Sequence, residues 1–180
     1  MSKIKNIVAT LGISTALGVA TLPIATFAAS DSASVAVKVN VNSVIALSVD
    51  NTSTEVTLSP SNVNTTGLKT KVTVATNSKN GYKLTVKDAD TTTAMTSTDT
   101  TETIPAVAGT LTAGTAGWNL SGGDLDKAAI LPTDQTVKTN PNSTHTGLQE
   151  DTQMTYGVAT STHQAQGTYL DTITYTATAL

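Results

Sequence analysis

The stretch K-V-T-V-A-T-N-S-K-N-G-Y-K-L-T-V-K, residues 71–87, decides the fold. Val72 and Val74 alternate with polar neighbours on one side of Asn77-Ser78-Lys79-Asn80-Gly81. Tyr82, Leu84 and Val86 alternate with Lys83, Thr85 and Lys87 on the other. A period of two sends successive side chains to opposite faces of a pleated strand, so each half reads as a half-buried β-strand. Asn80-Gly81 accepts the positive φ of a tight turn, which predicts a hairpin of residues 71–76 against residues 82–87.

The same period recurs outward from this centre. Upstream, S-V-A-V-K-V-N-V (34–41) places Val35, Val37, Val39 and Val41 on one face and reads as another half-buried strand, followed by short strands at 44–49 and 55–58. Downstream, residues 88–103 are dominated by Thr, Asp and Ser and read as a surface loop with a short strand at 94–97. Residues 104–111 read as a strand, and Trp118-Asn119-Leu120 as a short one broken by Gly122-Gly123. Residues 124–151 read as irregular, with Ile130-Leu131 tucked into the core. Two longer strands, 153–161 and 168–179, flank a turn at 162–167. In the last, Tyr169, Ile173, Tyr175 and Ala177 share one face, and Thr172, Thr174, Thr176 and Thr178 the other. Seven to nine such strands predict an all-β antiparallel sandwich of Ig-like or Greek-key type. A closed barrel, which needs more even strand lengths, is the competing architecture. Threonine makes up about a fifth of the chain; it is β-branched and its hydroxyl tolerates water, which suits the solvent face of a sheet.

The first thirty residues carry a different signal. Lys3 and Lys5 precede a charge-free, mostly apolar run from Ile7 to about Leu22, then Pro23 and a small-residue patch ending in Ala28-Ala29. That order is a secretory signal peptide, with cleavage expected after Ala28 and next best after Ser30. The competing reading is an uncleaved anchor, although Gly12, Ser14, Thr15 and Gly18 interrupt the run. The expected organisation is a signal-peptide helix over 1–28 and one secreted sandwich domain over 29–180. Net charge is −3 for the chain and −5 once Lys3 and Lys5 are removed. A mildly acidic surface without a basic cluster argues against nucleic acid, and against a membrane once the signal is cleaved. The chain has no cysteine, which excludes disulfides, thiol chemistry and cysteine metal sites.

No sequence pattern points to catalysis, and no catalytic residue, cofactor or metal ligand is assigned. His145 and His163 fall in expected loops without partners at triad or zinc spacing. Asp88-Ala89-Asp90 and Asp124-Leu125-Asp126 could each offer two carboxylates to calcium, but neither continues into a calcium loop, and solvated turn acids are the expected role. Aromatics are 3% of the chain, too few for a sugar-binding cleft. The lone Trp118 is expected to plug the core, with partner contact by Trp118, Asn119 and Leu120 as the alternative. Leu131-Pro132-Thr133-Asp134-Gln135 lacks the Thr-Gly step, apolar tail and basic end of a sortase signal.

Taken together, the signal peptide, V-T-V-A-T-N-S-K-N-G-Y-K-L-T-V (72–86), G-W-N-L (117–120) and G-T-Y-L-D-T-I-T-Y-T-A-T-A (167–179) resemble the small secreted β-sandwich domains of bacterial surface proteins, among them WxL-type wall-binding domains. Trp118-Asn119-Leu120 matches the first W-x-L motif of that family. Where a second stands in the family's closing strand, this chain has Tyr175-Thr176-Ala177. The resemblance implies non-covalent attachment to peptidoglycan. The closing strand is also similar to the last strand of some fimbrial and spore-coat-type subunits. The expected function is thus a non-enzymatic, exported surface module that binds cell wall or a surface protein. The alternative is a fibre subunit, a homo-oligomer that donates the Val35, Val37, Val39, Val41 strand to a neighbour. A secreted hydrolase is a distant third.

Overall fold

The structure, a computed structural model, describes residues 31–142 and 146–180. The expected signal-peptide helix and its cleavage point lie outside them. The chain divides into two compact units, Met1–Val39 and Asn40–Leu180, and every strand found among the described residues belongs to the second. In chain order these are β1 (Ile45–Val49), β2 (Val63–Thr76), β3 (Tyr82–Asp88), β4 (Met95–Ser97), β5 (Thr103–Ile104), β6 (Gly117–Gly122), β7 (Leu125–Ala128), β8 (Gln135–Asn140), β9 (Leu148–Ala159), β10 (Tyr169–Leu170) and β11 (Ile173–Ala179). The fold is all-β and sandwich-like. A five-stranded sheet runs β1-β2-β9-β6-β7, one three-stranded sheet runs β11-β3-β8, and a smaller one runs β10-β4-β5. Neighbouring strands within each sheet are antiparallel.

One core joins the sheets. Val72 and Val74 of β2, Trp118 and Leu120 of β6, and Met154, Tyr156 and Val158 of β9 meet Tyr82, Leu84 and Val86 of β3 and Val137 of β8 in a single buried cluster. Each of these strands presents an alternate-residue face inward, so the period-two readings identified the core correctly. They did not identify the pairing. The expected hairpin of 71–76 against 82–87 does not exist: β2 bonds to β1 and β9, whereas β3 bonds to β11 and β8. Residues 77–81 carry the chain from one sheet to the other. Alternation specifies which side chains face inward, and two strands stacked across a core satisfy it as well as two paired side by side. The turn at 162–167 likewise links β9 to strands of the other two sheets.

Other differences follow from the same limit. The segment 31–44 has no regular structure, and Val35, Val37, Val39 and Val41 are 78–86% exposed instead of half-buried. Residues 55–58 form no strand, although Val56 and Leu58 still pack against the core. The strand expected over 104–111 is reduced to β5. The irregular stretch after Asp124 contains β7 and β8, which a pattern search misses because each offers few apolar residues to the core. Ile130 is buried but Leu131 is not.

Gly81 makes the crossing between sheets possible. Its φ is +88°, and a Cβ there would lie 1.8 Å from the Asn140 carbonyl oxygen. Gly81→Ala adds left-handed strain to a clash with backbone that cannot move aside. We expect a loss of about 3–4 kcal/mol, read as a fall in Tm of roughly 6–15 °C by calorimetry.

Candidate functional site

Trp118, Asn119 and Leu120 belong to the interior. Their relative exposures are 1%, 4% and 0%. The Trp118 indole N–H donates to the Thr93 carbonyl at 3.0 Å. That is the usual arrangement for a buried indole. Asn119 lies on the opposite face of β6, which the loop before that strand covers. Its Nδ2 donates to the Gly109 carbonyl at 2.7 Å. The covering loop lies close because Gly157 has no side chain: a Cβ there would be 2.9 Å from Leu111 Cδ1. None of the three side chains is presented to solvent.

The valine segment enters the fold at a pinned point. Asn77 Nδ2 donates to the Asn42 carbonyl at 2.9 Å, and the Val44 N–H donates to Asn77 Oδ1 at 2.6 Å. The strand β1 then begins. Both β1 and β11 terminate their sheets, and the two are neighbours on one flank. The Ala89 N–H bonds to the Thr172 carbonyl at 2.9 Å and the Leu180 N–H to the Gly81 carbonyl at 3.0 Å. These bonds put the even-numbered residues of β11 in the paired positions against β3. The backbone groups of Ile173, Tyr175, Ala177 and Ala179 therefore point out of the sheet edge. The same four side chains face inward and are only half-buried, while Thr174, Thr176 and Thr178 are exposed. Native edges are commonly blunted by lysine, proline or a bulge. β11 has none of these, and its register against β3 runs without a break.

Inward-facing carboxylates lie at both ends of β3; the sequence reading noted Asp88 and Asp90 as solvated turn acids and missed Glu150 and Asp171. At the start, Glu150 of β9 crosses to the other sheet. Tyr82 Oη donates to Glu150 Oε2 at 2.8 Å, Asn140 Nδ2 donates to the same oxygen at 2.6 Å, and Lys138 Nζ pairs with Oε1. Burial alone would raise the Glu150 carboxyl, but bonds from Lys138, Asn140 and Tyr82 outweigh it and hold the group below the ordinary glutamate range. A depressed carboxyl contributes stability that is present above its unfolded value, about 4.3, and is lost as pH falls through the lower folded one. Glu150→Gln should therefore shrink the fall in Tm between pH 6 and pH 3, measured by thermal melts across that range.

At the other end, Asp88 is 1% exposed. Its Oδ1 accepts the Asp90 N–H at 3.0 Å, and its Oδ2 has no partner. Asp171 Oδ1 accepts the Thr172 N–H at 2.6 Å, and its buried Oδ2 has none either. Burial pushes the Asp171 carboxyl up; the Thr172 amide opposes this and the charges of Asp88 and Asp90 add to it, leaving the group at about 6. The parity of Tyr169, Ile173 and Tyr175 assigns Asp171 to the inward face, and that of Leu148, Thr152 and Met154 does the same for Glu150. The signal was present, but polar residues were not counted in it.

The remaining candidates are sparse. His163 is exposed, with its Nδ1 2.9 Å from Thr162 Oγ1, and His145 lies outside the described residues. Asp124 and Asp126 are exposed. Among the described residues, no group of three or more His, Cys, Asp or Glu side chains is placed to hold a metal ion. No helix among them is long and apolar enough to cross a membrane. Two cavities have volumes of about 200 and about 190 Å³. The first is bordered by Asp90 and Asp171, the second by Asn119, Lys127 and Gly157. No family model matches this chain, and comparison with curated proteins gives no match.

Proposed function

We propose that this protein is a non-enzymatic, exported structural module of the cell surface that assembles by strand addition, the 34–41 segment of one copy extending the β11 edge of the next. The observation that carries the reading is the pairing of two complementary surfaces: four alternating valines at 78–86% exposure, and an unblunted edge whose inward side chains are half-buried. Backbone hydrogen bonds would supply affinity and the alternate valines the register. Because donor and acceptor are different surfaces, the contact is head-to-tail and grows into a fibre or closes into a ring. The experiment is electrophoresis of the full chain without boiling, beside a form lacking residues 31–41. A ladder from the first and a single band from the second is the expected result.

A second reading is non-covalent attachment to the wall or to a surface protein, as in WxL-type domains. The run of exposed Thr174, Thr176 and Thr178 favours it, since an uncharged hydroxyl face suits wet, polar contacts. In that case the protein sediments with purified peptidoglycan as a monomer, and loss of residues 31–41 changes nothing.

A further inference from the structure

We propose that the Asp88–Asp171 end of the β3–β11 ladder is a calcium site. The register pairs Ile173 with Asp88, and extending it by two residues sets Asp171 opposite Asp90. Asp88 and Asp171 thus sit at one end of the ladder, from two segments about eighty residues apart in the chain, with Asp90 exposed on the rim. The comparison with Glu150 is instructive. That carboxylate also faces inward, and the protein surrounds it with a lysine, an amide and a phenol. Asp88, Asp90 and Asp171 have no cationic partner among the described residues, whereas Lys71 pairs with Asp151 and Lys138 with Glu150. Their bonds are to main-chain N–H groups of the same turns, at Asp90, Thr92 and Thr172.

Two buried carboxylate oxygens remain without a partner, one on each side of the ladder. Leaving such an atom dry and unpaired costs several times what a hydrogen bond returns. A bound ion is the natural complement. Asp171 and Asp90 border a cavity of about 200 Å³ whose wall includes Thr92, Thr96 and Thr172, while Asp88 is buried and is not part of that wall. Every donor is oxygen, with no histidine or thiol nearby, so the site suits a hard cation. The two inward carboxylates would supply the charge. Hydroxyls, carbonyls and water would complete a flexible shell of six to eight oxygens, which calcium accepts and magnesium does not. Such a make-up corresponds to a weak site, with Kd of roughly 0.1–1 mM.

The test uses calcium chloride alone on the full chain, with ionic strength matched by sodium chloride. Wild type should melt roughly 3–11 °C higher in 10 mM calcium than in EDTA, and isothermal titration should give one saturable site. Asp171→Asn and Asp88→Asn should each abolish the calcium-dependent shift without lowering Tm in EDTA, because each removes an uncompensated charge. Asp126→Asn, at an exposed position of β7, should keep the shift in full. Should Asp88→Asn fail to fold, Asp90→Asn on the exposed rim replaces it with the same expected loss. Absence of both the shift and the binding heat in wild type would overturn the proposal, as would a full shift retained in Asp171→Asn.

Discussion

Under the proposed strand addition, replacing Val37 and Val39 together with aspartate is expected to leave a folded monomer that no longer assembles. Each exposed valine that becomes buried on a neighbour's edge stabilises the junction by about 1.5–3 kcal/mol, so losing two weakens it by roughly 10²–10⁴-fold. The aspartates add the larger cost of burying charges that have no partner. The monomer itself should be almost unaffected. The valines are exposed, and the Asn42 carbonyl just after them accepts from Asn77 Nδ2. Sedimentation velocity separates the effects: the variant should run as a single monomeric species while its Tm stays within about 1–2 °C of wild type. Val37→Leu with Val39→Leu keeps the apolar face and should keep the assembly.

Trp118→Ala is expected to produce the largest loss of stability. The side chain is 1% exposed and packs between residues of both major sheets. Truncating a buried tryptophan costs about 3–5 kcal/mol, because the lost transfer energy is joined by a cavity that the core cannot close. The deletion also leaves the Thr93 carbonyl without its donor. Against a total stability of about 5–15 kcal/mol this is a large share, and Tm should fall by roughly 6–20 °C. A tryptophan used for wall contact behaves in the opposite way: its removal leaves Tm unchanged and abolishes binding. Native fluorescence offers a further check, since an indole in the core emits at shorter wavelength than one in water.

Alternation of apolar residues made the inward faces of β2, β3, β9 and β11 legible, because a sheet with one buried face must segregate its side chains. The partner of each strand was not legible. Residues 77–81 read as a hairpin turn, but the same turn residues serve a passage between sheets, and only the pairing of β2 with β1 and β9 and of β3 with β11 and β8 distinguishes them. The Val35–Val41 stripe predicts a buried face, yet within one copy that face is exposed, and the proposal places its burial in the next copy. Trp118 was readable as a core plug from its isolation among so few aromatics. Asp88 and Asp171 were not recognisable as a pair. Their proximity depends on β3 and β11 being neighbours, which no local pattern encodes.

Cross-linking tests strand addition most directly, and the absence of cysteine from the chain makes it clean. Lys38→Cys lies on the outer face of the proposed donor strand, while Thr174→Cys, Thr176→Cys and Thr178→Cys lie on the outer face of β11. Neighbouring antiparallel strands bring facing Cα atoms within about 4.5–5.5 Å, inside disulfide range. Mixing the K38C protein with each β11 variant under mild oxidation should give a mixed dimer that peaks at one threonine position and disappears when the Lys38→Cys chain also carries Val37→Asp and Val39→Asp. Cross-links spread evenly over the three positions, or none at any of them, would contradict the account.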